Sequence, residues 1–592
     1  MGELIAGIIV ALIGAYATIK AAKIEAGENT TDAKAGAFLH RIAEVWKRHK
    51  VAAVTVGVIA LSLTVWGCWR MFHEEPEPVL PDKNPKLHRD IGDRYLELEL
   101  FDKALLEYQN AADIEPGEAL NHDSQVRALV ELERYEEALD ESITAVAIDP
   151  DTAEYHYHQG VTLYHLKRYS DAEKEFEKAI QLEPKRAVYH DSLGTILSIQ
   201  ERYEEARAER QKAVKLEPDN ARFHATLGAT FYVLKRYEEA STELQKAVKL
   251  DPDNAFYHNR LGWVLHWLER YEEALGEKQK ATELDPDNAS YYDSLGRTLR
   301  SMRRYEEAWA EHQKALELAP DDALYHNGLG WTLYSMKRYE EARAEFQKAV
   351  ELNPDNALYH DSLGITLHWL ERYEEALTEK RKAVELDPDN ALYHDSLGIT
   401  LHWMERYEEA LTEKRKAVKL DPDNASYHNG LGITLHWLKR YEEALGEKRK
   451  AVELEPDDAF YHSSLGWTLD SMERYEEAQA EHQKAVELDP DDASFYNGLG
   501  WTLYSMERYE EALVEHQKAV ELDPDDALYH VGLGWTLDFM ERYEEAWAEF
   551  QKAVELEPEK SSYHTNLAIV LEDLGRHDEA EAERKKAAEL AP

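Results

Sequence analysis

From residue 85 onward the sequence repeats itself every 34 residues. The stretch 357–390, ALYHDSLGITLHWLERYEEALTEKRKAVELDPDN, is followed by a copy that differs only in Met404 for Leu370 and Lys419 for Glu385. Fifteen prolines, from Pro116, Pro150 and Pro184 to Pro558 and Pro592, keep the same spacing without one insertion. A fixed period of this length predicts supersecondary units that bury their apolar faces against one another in a row. One array therefore replaces the several domains that 592 residues would otherwise suggest.

Each unit reads as two helices. Leu363, Leu367 and Leu370 recur at i, i+4 and i+7, one face of a first helix. The pattern breaks at Glu371-Arg372-Tyr373 and resumes with Ala376, Ala383 and Val384 on a second helix. Glu374 and Glu375 suit that helix's positive N-terminal end. Asp387-Pro388 stops it, because proline disfavours helical geometry at the residue before it. Asp389 and Asn390 are cap candidates for the next unit.

These residues resemble the tetratricopeptide repeat over 85–592. The family's Leu-Gly pair is matched by Leu363-Gly364, its tyrosine before the second helix by Tyr373, its small residues by Ala376 and Ala383, and its terminal proline by Pro388. Two positions depart from the family: His360 stands where an early aromatic is usual, and Lys380, His482 or Arg210 where a later one is. The resemblance implies an all-α, right-handed superhelical solenoid of about fifteen helix-turn-helix repeats. It also implies a concave groove, lined by the first helices, that binds proteins or peptides. Val126 takes the glycine position in the second repeat, and the polar second helix of 561–592 reads as a cap.

Residues 1–84 are of another kind. They carry no net charge, so the whole −49 belongs to the array. Such an acidic surface repels phosphate backbones and argues against a nucleic-acid partner. The run Leu4–Ile19 (within a segment 1–22) and the run Val51–Trp69 (within 51–70) are uncharged. The second is long enough to span a bilayer and is preceded by Trp46, Lys47, Arg48 and Lys50. Two transmembrane helices are expected, the first having an interfacial helix as its alternative. The basic loop 23–50 would then face the cytoplasm, and the array would lie on the extracytoplasmic side of the membrane. Residues 71–84 form a proline- and glutamate-rich spacer.

No catalytic, cofactor or metal site emerges. His360-Asp361-Ser362 has the letters of a triad, but adjacent helical residues point in different directions. The single cysteine, Cys68, excludes cysteine-based zinc sites and disulfides. Histidine recurs at the fourth position of thirteen repeats, as at His258, His326, His394 and His462. Repeats about 10 Å apart are too far from one another for a shared ion. Read as buried and neutral, these imidazoles lead to an expectation that helicity is lost below about pH 6.

The sharper signal is aromatic. Nine of fourteen tryptophans fall at two positions of the first helix: Trp263, Trp331, Trp467, Trp501 and Trp535 at one, Trp267, Trp369, Trp403 and Trp437 at the other. With them run His266, His368, His402, His436, Tyr334 and Tyr504, and on the same groove face Asn327, Asp361, Asp395 and Asn429. The family's two-carboxylate clamp needs Lys and Asn where this chain has Asp361 with Ile365. An exposed aromatic stripe points to contact with a partner; packing between neighbouring first helices is the alternative. The function expected is a non-enzymatic, membrane-anchored scaffold for a protein or extended peptide. Self-assembly into a filament or sheath, and a polysaccharide-handling accessory that binds glycan, remain the other two readings.

Overall fold

A computed structural model describes residues 84–590, which are helical throughout apart from short turns. Thirty helices form fifteen pairs among these residues, from α1 (Pro85–Glu97) and α2 (Phe101–Ile114) to α29 (Ser561–Asp573) and α30 (His577–Leu590). Odd-numbered helices are the first helices of their repeats. The chain divides into two compact units, Met1–Ile148 and Asp149–Pro592.

The repeat at 357–390 shows why these residues fold this way. Asn390 caps the following helix, its side chain accepting from the backbone N–H of Leu392 at 3.1 Å, and its amide reaches back to Asp387 at 3.1 Å. The first helix, α17 (Ala357–Trp369), ends at Glu371, which adopts a left-handed φ of 60°. There the N–H of Arg372 bonds to the Leu367 carbonyl and that of Glu371 to His368, both at 2.9 Å, satisfying carbonyls the helix leaves open. Arg372 then forks onto Glu375 at 2.7 and 2.6 Å, closing the first turn of α18 (Tyr373–Leu386). That helix stops at Asp387, before Pro388.

Small residues set how closely the paired helices approach. Ala376 and Ala383 are fully buried, and a Cβ on Gly364 would lie 2.6 Å from Lys380 Cγ. In the first unit the sizes are exchanged: Val126, at the glycine position of α3 (Ala119–Glu131), is buried together with the small Ser142 of α4 (Tyr135–Ile148). That unit's core gathers Leu105, Tyr108, Val126, Leu129 and Ala138. In the second unit, cores run from repeat to repeat, as where Leu329, Leu333 and Phe346 meet Tyr359, Leu363 and Leu367.

Within the second unit the first helices from Ala187–Ile199 to Ala527–Phe539 each pack on their own second helix, on the previous second helix and on the next first helix. Second helices make no comparable contact with one another. Among the described residues no helix is long and apolar enough to cross a membrane. The spans expected within 1–22 and 51–70 lie outside the described residues.

Candidate functional site

The two tryptophan positions do different work. Trp331, Trp501 and Trp535 are half-buried and Trp467 is more open. Each lies edge-on against the side chain halfway along its own second helix: Trp331 on Phe346 at 5.5 Å, Trp467 on His482 at 5.6 Å, Trp501 on His516 at 5.4 Å and Trp535 on Phe550 at 5.5 Å. Trp263 covers the Lys278 ammonium, 4.1 Å from its ring centre. These five are lids over the core. Tyr334 and Tyr504 pack edge-on against Trp331 and Trp501.

Trp267, Trp369, Trp403 and Trp437 are 53%, 58%, 64% and 59% exposed. Three of them stack flat on the second-helix tyrosine of the preceding repeat: Trp267 on Tyr237 at 6.1 Å, Trp369 on Tyr339 at 6.2 Å and Trp437 on Tyr407 at 5.9 Å. Trp403 meets the edge of His368 at 6.0 Å. One indole face is thereby held, and the side chain remains open to solvent. Sequence reasoning missed the tyrosines as supports, although one stands at the start of nearly every second helix.

The histidines beside these tryptophans are structural. His266, His368, His402 and His436 each place Nδ1 3.1–3.4 Å from a threonine hydroxyl of the next repeat, Thr298, Thr400, Thr434 and Thr468. Burial, followed by the nearby second-helix lysine, lowers each to about 4, so they are neutral at pH 7.

Two expectations need correction. Asn327, Asp361, Asp395 and Asn429 do not present an open polar face; all four are buried. The first helix is covered by three neighbours, so a residue off its own leucine stripe still falls inside. His326 and His462, two of the fourth-position histidines, are also unlike the neutral groups expected. His360 places Nδ1 2.6 Å from the Glu379 carboxylate and Nε2 2.9 Å from the Pro354 carbonyl. The same double contact holds His326 and His462. At His326 and His462 the two acceptors call for two N–H donors, which favours imidazolium. The carboxylate hydrogen bond raises His326 and His462 above the ordinary value, and the His190 contact lowers Glu209.

The residues that come together as a site are those of α17, α18 and α19 (Ala391–Trp403). A cleft of about 480 Å³ opens between the two first helices, with Ile365, Trp369, Leu392, Ile399 and Trp403 as its walls. Lys380 and Asp395 lie at its floor, and His368 and Tyr373 at its rim. Among the described residues no three His, Cys, Asp or Glu side chains gather as a metal site.

Family models for the tetratricopeptide repeat match residues 153–186 and 323–356, 288–319, 471–533 and 531–592, and a TPR-repeat model matches 230–268 and 404–438. The chain belongs to the tetratricopeptide-repeat family. Solved structures similar to this tetratricopeptide-repeat protein include the crystal structure of the APC/C hetero-tetramer Cut9-Hcn1, at 13% identity and a TM-score of 0.42, covering 77% of this chain and 96% of that one. Another is the crystal structure of the yeast Tom70, at 17% identity and a TM-score of 0.37, covering 73% and 96%. At these scores neither bears on how the repeats coil or on what they bind. A search of curated proteins gave no match.

Proposed function

We propose that this tetratricopeptide-repeat protein is a non-enzymatic scaffold whose first-helix face, centred on 357–437, holds an extended segment of a partner protein. The observation that carries this reading is the set of exposed platforms Trp369, Trp403 and Trp437 in three successive repeats, with an apolar cleft between the first two. Packed helices lie about 8–10 Å apart. Three residues of polyproline II, at about 3.1 Å each, cover that step and bring the side chain back to the same face. A partner with proline or an aliphatic residue at every third position therefore meets one platform per repeat. The net charge of −49 favours a neutral or basic segment. Polypeptide is preferred to glycan because Ile365, Leu392 and Ile399 give the cleft an aliphatic wall that suits apolar side chains.

In the same reading Val51–Trp69 anchors the chain in a membrane, and the basic residues of 20–50 place the array on the opposite side from the cytoplasm. A topology reporter fused after Pro592 that is active only outside the cytoplasm supports this; a cytoplasmic signal removes it. Binding is tested by probing the full-length chain with immobilised 15-residue peptides carrying proline or leucine at every third position, alongside scrambled peptides of equal composition. Capture of the periodic set alone supports the reading, and equal capture of both sets refutes it.

A further inference from the structure

In five repeats the side chain halfway along the second helix is covered by a tryptophan of its own first helix. Trp331 covers Phe346, Trp501 covers His516, and Trp263 covers Lys278. In the repeats beginning at 357 and 391 the lid position holds Ile365 and Ile399, which leave the cleft open down to Lys380. Among the described residues Lys380 makes no ion pair. Its Nζ donates to the Ser396 carbonyl at 3.0 Å, in walls of isoleucine, leucine and tryptophan. Its counterpart Lys414 is paired with Asp395 at 2.8 Å. Lys448, though buried and donating to Ser464 O at 2.7 Å, is followed by the larger Trp467 at the next lid position.

We infer that Lys380 is a reactive amine, and that the cleft is a covalent site for small aromatic or aliphatic aldehydes, which it takes up as imines. The Nζ lone pair attacks the carbonyl carbon, and one N–H proton passes to the oxygen, giving a carbinolamine. The nitrogen lone pair then expels water and leaves C=N, so that amine and aldehyde give imine and water. Apolar walls favour loss of water, and a protonated imine keeps one N–H for Ser396 O. Burial lowers the Lys380 ammonium to about 8, so a sizeable fraction is free amine near neutral pH, where an exposed lysine is almost fully protonated. This goes beyond polypeptide binding and does not depend on it.

The test incubates the full chain with benzaldehyde and cyanoborohydride at pH 7.5 and maps the benzylated lysines. Tryptic and glutamate-specific digests together separate Lys380 from Lys414 and Lys448, whose surroundings repeat in sequence. Lys380 is expected to label at least about tenfold more than the exposed Lys439, and more than Lys448. Ile365→Trp, which restores the lid found in five other repeats, should suppress that labelling with the melting temperature held. Labelling of Lys380 no greater than that of Lys439 overturns the inference. Equal labelling of Lys448, or an undiminished signal in folded I365W, also does so, because burial rather than the cleft would then be responsible.

Discussion

Lys414 donates to the Asp395 carboxylate at 2.8 Å, whereas Lys380, at the same place one repeat earlier, donates to the Ser396 carbonyl at 3.0 Å. The two repeats are nearly identical, so the cause lies in the neighbour on the C-terminal side of each. The repeat after Lys414 presents Gly430; the repeat after Lys380 presents Ser396. A Cβ on Gly430 would sit 2.8 Å from Lys414 Nζ and 3.4 Å from Asp395 Oδ1. The glycine makes room for the pair. Lys278 and Lys448, each followed by serine, reach a serine carbonyl as Lys380 does.

Gly430→Ser should therefore separate Lys414 from Asp395 and leave a buried carboxylate short of its partner, costing about 1–3 kcal/mol. Faster hydrogen exchange across 391–437 is the readout, since a repeat array opens locally. Gly446→Ala is the counterpart. Nothing lies within 4 Å of a Cβ there, so relieving glycine's entropy in mid-helix should stabilise by about 0.5–1 kcal/mol.

Fourteen first helices end on a charged residue at positive φ, from 56° to 61°, while Gly575 alone among the described residues meets this need with glycine. Each side chain in that region costs about 1 kcal/mol. Glu371→Gly should raise the unfolding midpoint of its repeat, and Gly575→Ala should lower that of the last one. Calorimetry of the two variants checks both signs.

The histidines form two classes with opposite pH behaviour. His326 and His462 have raised values. Their contribution is full below the unfolded value of about 6.5 and fades as pH rises through the folded one. His368 and His402, lowered to about 4, contribute fully above about 6.5 and lose that contribution as pH falls toward 4. His326→Gln should destabilise more at pH 5.5 than at pH 8, and His368→Gln more at pH 8 than at pH 4.5. Thermal melts of both variants across this range decide it; a common trend would contradict the assignment.

The range of each interaction determines how much of the fold and site was legible. Leu363, Leu367, Gly364, Asn390 and Pro388 act within a turn or within their own helix pair, and the period repeats them, so the helix boundaries and caps could be read directly. Trp369 stood out as exposed because it lies off the leucine stripe. Asp361 was misplaced because its burial comes from neighbours that the stripe of one helix does not record. The raised value of His326 was missed for a similar reason: Glu345 lies nineteen residues on and is positioned by the fold of the pair. Lys380 stands out in the sequence only as a departure at the family's later aromatic position; that its stem lies against Gly364 comes from the pairing of the two helices.

Lid and platform tryptophans should separate on mutation. Trp331→Ala removes a ring packed on Phe346 and should cost about 2–3 kcal/mol. Trp369→Ala leaves the core intact and should cost under about 1 kcal/mol. Denaturant unfolding of the two variants side by side gives the comparison.

The central claim is that the exposed platforms, rather than the array as a whole, hold an extended partner. Its most direct measurement is the affinity of the full chain for a periodic proline- or leucine-bearing peptide, compared with that of the triple variant Trp369→Ala, Trp403→Ala, Trp437→Ala. The account predicts an unchanged helical spectrum and a loss of affinity of about a hundredfold, roughly 1 kcal/mol per platform. A triple variant that binds the peptide as the parent does would contradict it.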